Sequence, residues 1–364
     1  MMASVIQQPY IIDKETQEMA ELTHFATNRK SIRDWAARHP MLAFVALAYA
    51  ITWITWPLYN RIDLGMVNGI GILSLAGPAL AALVVSASLR PEPSGIPAGK
   101  RLRSFGVAGL LALAVMAAVR LWVAAGRVTV SGMPAASVPY PSPLAFPMDV
   151  LGAIVVAFIF SGVHSPRQGV SDLLHSLDAR RQPVRWYWWV FAVGFYPVFF
   201  ALGNALSAGI GLPEPAPKAA GLWYWLALEA LIMFLFYLFA GGGLEEPGWR
   251  GFVLPWLQKR YSPLRSSLIL ALIWAFWHWP MLQGGLLGMA FYLLQYVAPA
   301  AILFTAVFNR TGGSLPIAIL LHSSINITPM FLPGSTLAPS LLLLLLMLGT
   351  AFWMRRSPQV FSSC

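Results

Sequence analysis

The side chains most able to do chemistry in this sequence are a few ionisable and amide groups set within or beside long apolar runs. An ionisable group costs roughly 2.5 to 3.5 kcal/mol at the centre of a membrane span, so such residues are functional candidates by default. The persuasive ones all follow residue 240. They form three groups: Glu245, Glu246 and Arg250; His278; and His322 with Asn326.

The first group lies directly after an apolar run and three glycines. If a helix continues there, Glu246 and Arg250 are four residues apart on one face and can pair. Glu245 then points about 100° away and is left available for proton transfer. We therefore assign Glu245 to chemistry and the Glu246–Arg250 pair to structural support. The alternative is that both glutamates are solvated at the cytoplasmic boundary, near Lys259 and Arg260.

The two histidines fall inside apolar stretches. His278 follows an aromatic sequence and would lie roughly 18 Å along its helix, inside the hydrocarbon. His322 and Asn326 are four apart on one helical face, where two donors could stabilise an oxyanion. The alternatives are an interhelical hydrogen bond for His278 and a polar seam for the other pair, with Ser323 and Ser324 as further members.

Glu245, His278 and His322 could also supply three protein ligands to a zinc ion with one open position, lowering the pKa of a bound water to about 7. No HExxH spacing is present, and Asn326 suits an oxyanion donor better than a metal ligand. We favour a metal-free centre with no cofactor, and zinc stays an alternative.

The elements that must position these residues are membrane spans. Hydrophobic residues make up 58% of the 364 residues and charged residues only 10%, against about 25% charged in soluble domains. The net charge of +10 is distributed in short clusters between apolar runs, which indicates membrane topology and argues against nucleic-acid binding. The single cysteine, Cys364, excludes an intramolecular disulfide and a thiolate zinc cluster.

About ten apolar runs are long enough to be spans, so we predict an all-α polytopic membrane protein of about ten transmembrane helices. The two runs flanking 284–286 could instead form one broken or re-entrant element. The runs lie near 41–59, 67–89, 104–125, 144–164, 187–211, 221–244, 267–283, 287–308, 314–333 and 337–354.

The basic residues give the expected orientation. With the N-terminus inside, the opposite side holds only Arg61, Arg127 and Lys218, which predicts an even number of spans and two cytoplasmic ends. Segment 126–143 reads as an external loop and 90–103 as an internal linker. Within the spans, Arg120 is explained by snorkelling, and Asp149 and Asn204 by packing more readily than by lining a cavity.

The three groups resemble the three motifs of the CPBP family, which includes the CAAX prenyl endopeptidases and bacteriocin-processing and self-immunity proteins. Residues 245–250 match its EExxxR motif, His278 occupies the histidine of the second motif, and His322 with Asn326 matches HxxxN. The resemblance covers roughly 220–332. One departure is Trp274 where the family usually has phenylalanine; it keeps an aromatic wall and is not expected to alter the chemistry.

The resemblance implies a helical fold that encloses an intramembrane cavity open to the cytosol, and hydrolysis of peptides or lipidated proteins. It implies that Glu245 and His278 activate water, and that His322 and Asn326 hold the oxyanion. We divide the chain into a cytoplasmic segment (1–40), N-terminal spans (41–185, with two additional spans at 104–164), a peptidase core (186–332) and a final span with a tail (333–364).

We expect the protein in a bacterial inner (plasma) membrane, in contact with lipid, and the sequence leaves its oligomeric state open. Two other functions remain open at this point. A non-catalytic immunity or scaffold protein could keep the motifs for partner binding. A proton-coupled transporter could use the same polar residues as a relay, although it would favour broken helices in both halves, and here the polar residues are concentrated in one half.

Overall fold

The computed structural model describes residues 32–61, 69–124, 145–180, 183–212, 223–282, 284–332 and 337–356. Within these ranges the regular structure is helical, apart from one antiparallel bridge between Pro93 and Arg167. The predicted all-α class is confirmed. The expected external loop at 126–143 and most of the expected N-terminal segment lie outside the described residues.

The helices follow the predicted apolar runs closely, and each of the ten runs contains helix. Residues 32–38 are also helical. The helices are α1 (Pro40–Arg61), α2 (Gly69–Leu75), α3 (Gly77–Leu89), α4 (Ala98–Ala124), α5 (Ala145–Ser161), α6 (Gln168–His175), α7 (Trp186–Gly209), α8 (Trp223–Ala240), α9 (Gly242–Gly248), α10 (Leu254–Gln258), α11 (Pro263–Trp277), α12 (Gly285–Tyr292), α13 (Ala298–Arg310), α14 (Leu315–Phe331) and α15 (Leu337–Arg356).

The chain is a polytopic membrane protein. In the described part, five helices are long and apolar enough to cross a bilayer, and α2 with α3 makes a sixth if the bent pair is one span. Three shorter apolar helices, α5, α11 and α14, accompany them. The five are Pro40–Tyr59, Ala98–Trp122, Trp186–Gly209, Tyr224–Gln258 and Gly285–Arg310.

Prolines and glycines explain where the helices depart from the predicted runs. Run 67–89 is bent by 58° between α2 and α3, where Pro78 in the first turn of α3 has no N–H to continue the ladder. Run 267–283 ends as α-helix at Trp277, because Pro280 follows closely, and Gly284 takes a left-handed φ of 93° before α12. The runs flanking 284–286 are therefore two separate helices.

Helix α11, which lies between α10 and α12 in sequence, is hydrogen-bonded to the first span, α1. Ser262 is the N-cap of α11, and its side chain accepts a hydrogen bond from the Arg265 backbone N–H. Pro263 is the first residue of the helix. Along α11, hydrogen bonds to α1 fix its far end. They run from the Tyr49 hydroxyl to the Ile273 carbonyl (2.6 Å), from Trp53 Nε1 to the Trp277 carbonyl (3.1 Å) and from Trp277 Nε1 to Thr52 Oγ1 (2.8 Å).

Helices α4 and α5, which the sequence predicted as two additional spans, are joined by a buried ion pair. Arg120 Nε lies 2.8 Å from Asp149 Oδ2 and its Nη2 lies 2.6 Å from Oδ1, and both residues are at most 5% exposed. A bidentate pair of this kind satisfies two charges that would be costly alone in an apolar medium. The expectation that Arg120 snorkels is therefore wrong, and Asp149 has a packing role between helices.

The close packing of α9 against α3 at Gly248 can be tested by substitution. A Cβ added at Gly248 would lie 2.5 Å from Pro78 Cβ and 2.7 Å from its carbonyl oxygen. We expect Gly248→Ala to destabilise the protein by about 1 to 3 kcal/mol, as overpacking against backbone does. Gly106 on α4 has no atom within 4 Å of its added Cβ, so Gly106→Ala should be neutral or stabilising. Thermal unfolding in detergent compares the two, and equal midpoints would contradict this account.

Candidate active site

The site begins where α8 turns into α9, and glycines there let two backbones touch. A Cβ at Gly242 would lie 2.6 Å from the Ile319 carbonyl oxygen, and one at Gly241 would lie 2.4 Å from Asn326 Nδ2. Only glycine allows α9 to approach α14 this closely. The approach places the first motif directly against the third.

Glu245 is held by two tryptophans. Its Oε2 accepts hydrogen bonds from Trp249 Nε1 (3.2 Å) and Trp274 Nε1 (2.9 Å), and its Oε1 lies 3.7 Å from His322 Nε2. The residue is 3% exposed. One oxygen is thus fixed by indole donors, while the other faces the imidazole of α14 without a direct hydrogen bond.

Glu246 and Arg250 form the predicted pair, and both are fully buried. Arg250 Nη1 donates to Glu246 Oε1 at 2.8 Å, and the guanidinium carbon lies 4.6 Å from the ring centres of Trp274 and Phe304. Cation–π contacts with the two rings partly replace the water that this charge has lost. The alternative of glutamates solvated at the cytoplasmic boundary is wrong, because Glu245 and Glu246 are buried.

The chain passes from α9 to α10 through a π-helical turn at Trp249–Val253. A π turn inserts one extra residue into a helix and is frequent at functional sites. Here it adjoins the first motif.

His322 lies between the two glutamates. Its Nδ1 is 2.7 Å from Glu246 Oε1, and the ring is 3% exposed. A carboxylate only accepts hydrogen bonds, so Nδ1 carries a proton and Nε2 faces Glu245. Glu246 therefore orients His322 as well as pairing with Arg250, a contact that joins residues 76 apart in sequence.

His278 lies at the C-terminal end of α11, not within a continuous span as the sequence indicated. Its Nδ1 is 2.8 Å from the Trp274 carbonyl oxygen, so that nitrogen donates and Nε2 is the acceptor in the neutral ring. The ring contacts Trp277 and Tyr292, and the indole of Trp274, whose carbonyl binds His278, donates to Glu245. The second motif is thus brought to the same neighbourhood as the other two.

Asn326 follows His322 by one helical turn and lies beside Gly241. Its amide makes no side-chain hydrogen bond within the part of the chain that the structure describes, and it is half-buried. No direct contact joins it to Glu245. The Asn326 amide can therefore donate a hydrogen bond to another group, and it lies at the edge of the cluster.

Sequence reasoning missed the tryptophan donors. Trp249 is four residues after Glu245, so the helical i,i+4 relation carried a signal for its hydrogen bond. The Trp274 bond joins residues 29 apart, and no local spacing indicated it. Trp274 was expected to act only as an aromatic wall. It instead donates a hydrogen bond that phenylalanine has no atom to make.

The zinc alternative was tested against the donor set. Among the described residues, no group of three or more His, Cys, Asp or Glu side chains is arranged to hold a metal ion. The engaged Glu245 Oε2 and the engaged Nδ1 atoms leave Glu245 Oε1 and the Nε2 atom of each histidine free. Glu245, His278 and His322 are not arranged as a three-ligand zinc site.

Fold and site define a class: a polytopic helical membrane protein whose glutamates and histidines meet in a buried cluster. Residues 227–328 match the sequence model of the Rce1-like type II CAAX prenyl endopeptidases. The chain is also 30% identical over 105 residues to CAAX prenyl protease 2 of Methanococcus maripaludis, a match that covers 26% of this chain and 38% of that protein.

The matched segment is therefore similar to the Rce1-like type II CAAX prenyl endopeptidases (CPBP family), a family of peptidases, as its motifs indicated. The matched segment includes every residue of the cluster described above. The alignment spans well under half of the relative's length, and α4 with α5 lies outside the matched residues.

Proposed function

We propose that the protein is an intramembrane endopeptidase that hydrolyses a peptide bond near the C-terminus of a lipidated or membrane-associated protein. The observation that carries the proposal is the position of His322 between Glu245 and Glu246, with His278 linked to Glu245 through Trp274. The family is one of peptidases, and the relative's name refers to a CAAX prenyl substrate.

In the proposed reaction, Glu245 and His278 activate the attacking water. Glu245 Oε1 is the free oxygen, because Oε2 is bound to the two indoles, and His278 presents Nε2 as a second acceptor. A base fixed in this way contributes about 10²- to 10⁴-fold to a hydrolysis rate. Burial of the cluster strengthens each of these interactions.

His322 and Asn326 serve as the oxyanion donors. Since His322 Nδ1 already donates to Glu246, the donor to the substrate is Nε2, and this role requires the doubly protonated ring. The Asn326 amide supplies the second donor from one turn further along α14. Arg250 and Glu246 keep the ring in place.

For the whole chain we propose ten crossings: α1, α2 with α3, α4, α5, α7, α8 to α10, α11, α12 with α13, α14 and α15. This arrangement puts both ends in the cytoplasm of a bacterial inner membrane, with residues 186–332 as the peptidase core and the cavity open to the cytosol. The support is the distribution of basic residues between the apolar helices.

The function is tested by incubating the purified protein with a panel of prenylated, acylated and unlipidated peptides, with and without a chelator. We expect cleavage of a lipidated member that survives chelation and is lost in His278→Ala. If cleavage were lost on chelation and restored by added zinc, the metal-free mechanism would be wrong. Absence of turnover across the panel would favour a non-catalytic scaffold protein.

Trp274 provides a sharper test of the carboxylate's position. Trp274→Phe removes the donor to Glu245 Oε2 and keeps an aromatic ring, so we expect about a tenfold fall in kcat, the size of one lost hydrogen bond to a charged group. Trp277→Phe is the matched control, because its indole donates to Thr52 on α1 instead. Equal rates in the two variants would show that the indole of Trp274 is not needed.

A further inference from the structure

A cavity lined in part by basic and hydroxyl side chains lies outside the matched segment, where α4 begins and α5 ends. Its walls come from residues 94–96, the first turns of α4, the end of α5 and helix α6. The cavity has a volume of about 150 Å³. Sites for drug-sized ligands measure about 300 to 1,000 Å³, so this space suits one small group with its hydration. We call it the Arg101 cavity.

The walls of the Arg101 cavity are fixed by backbone hydrogen bonds. Pro93 and Arg167 form an antiparallel bridge, flanked by bonds from Ser94 N to the Pro166 carbonyl and from Gln168 N to the Glu92 carbonyl, both 2.7 Å. These bonds tie the strand-like segment before α4 to the start of α6. The cavity is therefore built into the fold and does not depend on an occupant for its shape.

The basic side chains of the cavity include one, Arg101, whose buried nitrogens have no acceptor among the described residues. Arg101 Nε and Nη1 are buried and have no hydrogen-bond partner in the part of the chain that the structure describes, and the ammonium-bearing Lys100 is a neighbouring lining residue. Arg101 as a residue is half-buried, but its two buried N–H groups without acceptors carry a desolvation cost that a bound anion would remove.

The nearby carboxylates are already engaged elsewhere. Arg90 Nε binds Glu92 at 2.9 Å, and Arg90 Nη1 binds Asp172. Asp172 also accepts a hydrogen bond from Gln168 Nε2 at 2.6 Å. Neither acid is among the residues that line the cavity. The positive charge of Lys100 and Arg101 is thus left for a ligand.

The remaining lining residues are apolar side chains, such as Phe160, Val170 and Leu174, and short polar ones. The polar ones include the hydroxyls of Ser104 and Ser165, and on α6 the Ser171 hydroxyl, which lies 3.4 Å from His175 Nε2. A guanidinium, an ammonium and several hydroxyls around a small space match the oxygens of a phosphate group. We propose that the Arg101 cavity binds a phosphate group, at a site separate from the peptidase cluster. The proposal does not rest on the peptidase function.

Two sources could provide this group: the headgroup of an anionic phospholipid, since basic residues beside spans attract such lipids, or a free phosphate. Inorganic phosphate is titrated calorimetrically into the purified full-length protein in a zwitterionic detergent. In parallel, native mass spectrometry compares phosphatidic acid with phosphatidylcholine of the same acyl chains. Saturable binding of phosphate indicates the free anion. Retention of phosphatidic acid over phosphatidylcholine indicates the headgroup.

Matched variants locate the binding. Arg101→Gln should weaken whichever ligand binds by about 10- to 100-fold, as the loss of a charge-assisted pair predicts. Arg103→Gln changes net charge equally on the same helix, but Arg103 is exposed and does not line the cavity, so binding should fall less than about twofold. Lys100 is exposed, so Lys100→Gln should fold normally and still weaken binding.

The outcomes decide the proposal even if Arg101→Gln folds poorly, because Lys100→Gln against Arg103→Gln makes the same comparison. A wild-type protein that binds neither phosphate nor phosphatidic acid would overturn it. Equal losses in Arg101→Gln, Lys100→Gln and Arg103→Gln would also overturn it, since they would show general attraction to a basic surface in place of a built site.

Discussion

Glu245→Gln should reduce the rate of peptide cleavage by about 10²- to 10⁴-fold while leaving the protein folded and inserted. The amide has the size of the carboxyl group, and its oxygen can still accept from Trp249 and Trp274. It cannot take up a proton from water. The measurement is single-turnover cleavage of the best peptide found in the panel, with tryptophan fluorescence as a check on folding.

The chain offers a closely matched control for this substitution. Glu229 on α8 is also 3% exposed, equal to Glu245, and lies outside the peptidase cluster. Glu229→Gln should therefore keep most of the activity. A comparable loss in both variants would mean that buried carboxylates act through stability alone, and the role assigned to Glu245 would have to be withdrawn.

Arg250→Gln should be the most destabilising single change in the cluster, by about 3 to 5 kcal/mol, because it leaves Glu246 buried without its cation. Arg250 and Glu246 are both completely buried, so water cannot replace the lost partner. The change also removes the guanidinium between Trp274 and Phe304. Thermal unfolding in detergent, followed by tryptophan fluorescence, measures the effect, and exposed Arg265→Gln serves as the control.

The double variant Glu246→Gln/Arg250→Gln separates charge from packing. Removing both charges should restore part of the lost stability, with a coupling of about 0.5 to 3 kcal/mol between the sites. The amide oxygen introduced by Glu246→Gln can still accept from His322 Nδ1, so the ring keeps one of its contacts. Additive losses would indicate that the space filled by Arg250 matters more than its charge.

Much of this architecture is readable from local patterns. The apolar runs predicted the helices, and the spacing of Glu246 and Arg250 predicted their pair, because both depend on the helical period alone. Pro280 and Gly284 also indicate that the helix ends near His278. Hydropathy alone extended the predicted run to residue 283. Local chemistry thus determined the elements and their nearest contacts.

Contacts between distant segments were not readable in this way. Arg120 and Asp149 are each unfavourable alone in a span, and nothing local indicates that they pair. The burial of Arg250 depends on Trp274 and Phe304, and the orientation of His322 depends on Glu246 from another helix. Such information lies in how helices pack, and a scan along the chain does not contain it.

The hydrogen bonds between α1 and α11 set a lower limit on the size of a functional fragment. The family match covers about a hundred residues, yet the helix that ends at His278 is anchored by Tyr49, Thr52 and Trp53, far upstream of that match. A truncated protein beginning near residue 220 would keep all three motifs and lose those anchors. We therefore expect a fragment that keeps the site in place to include the first membrane helix.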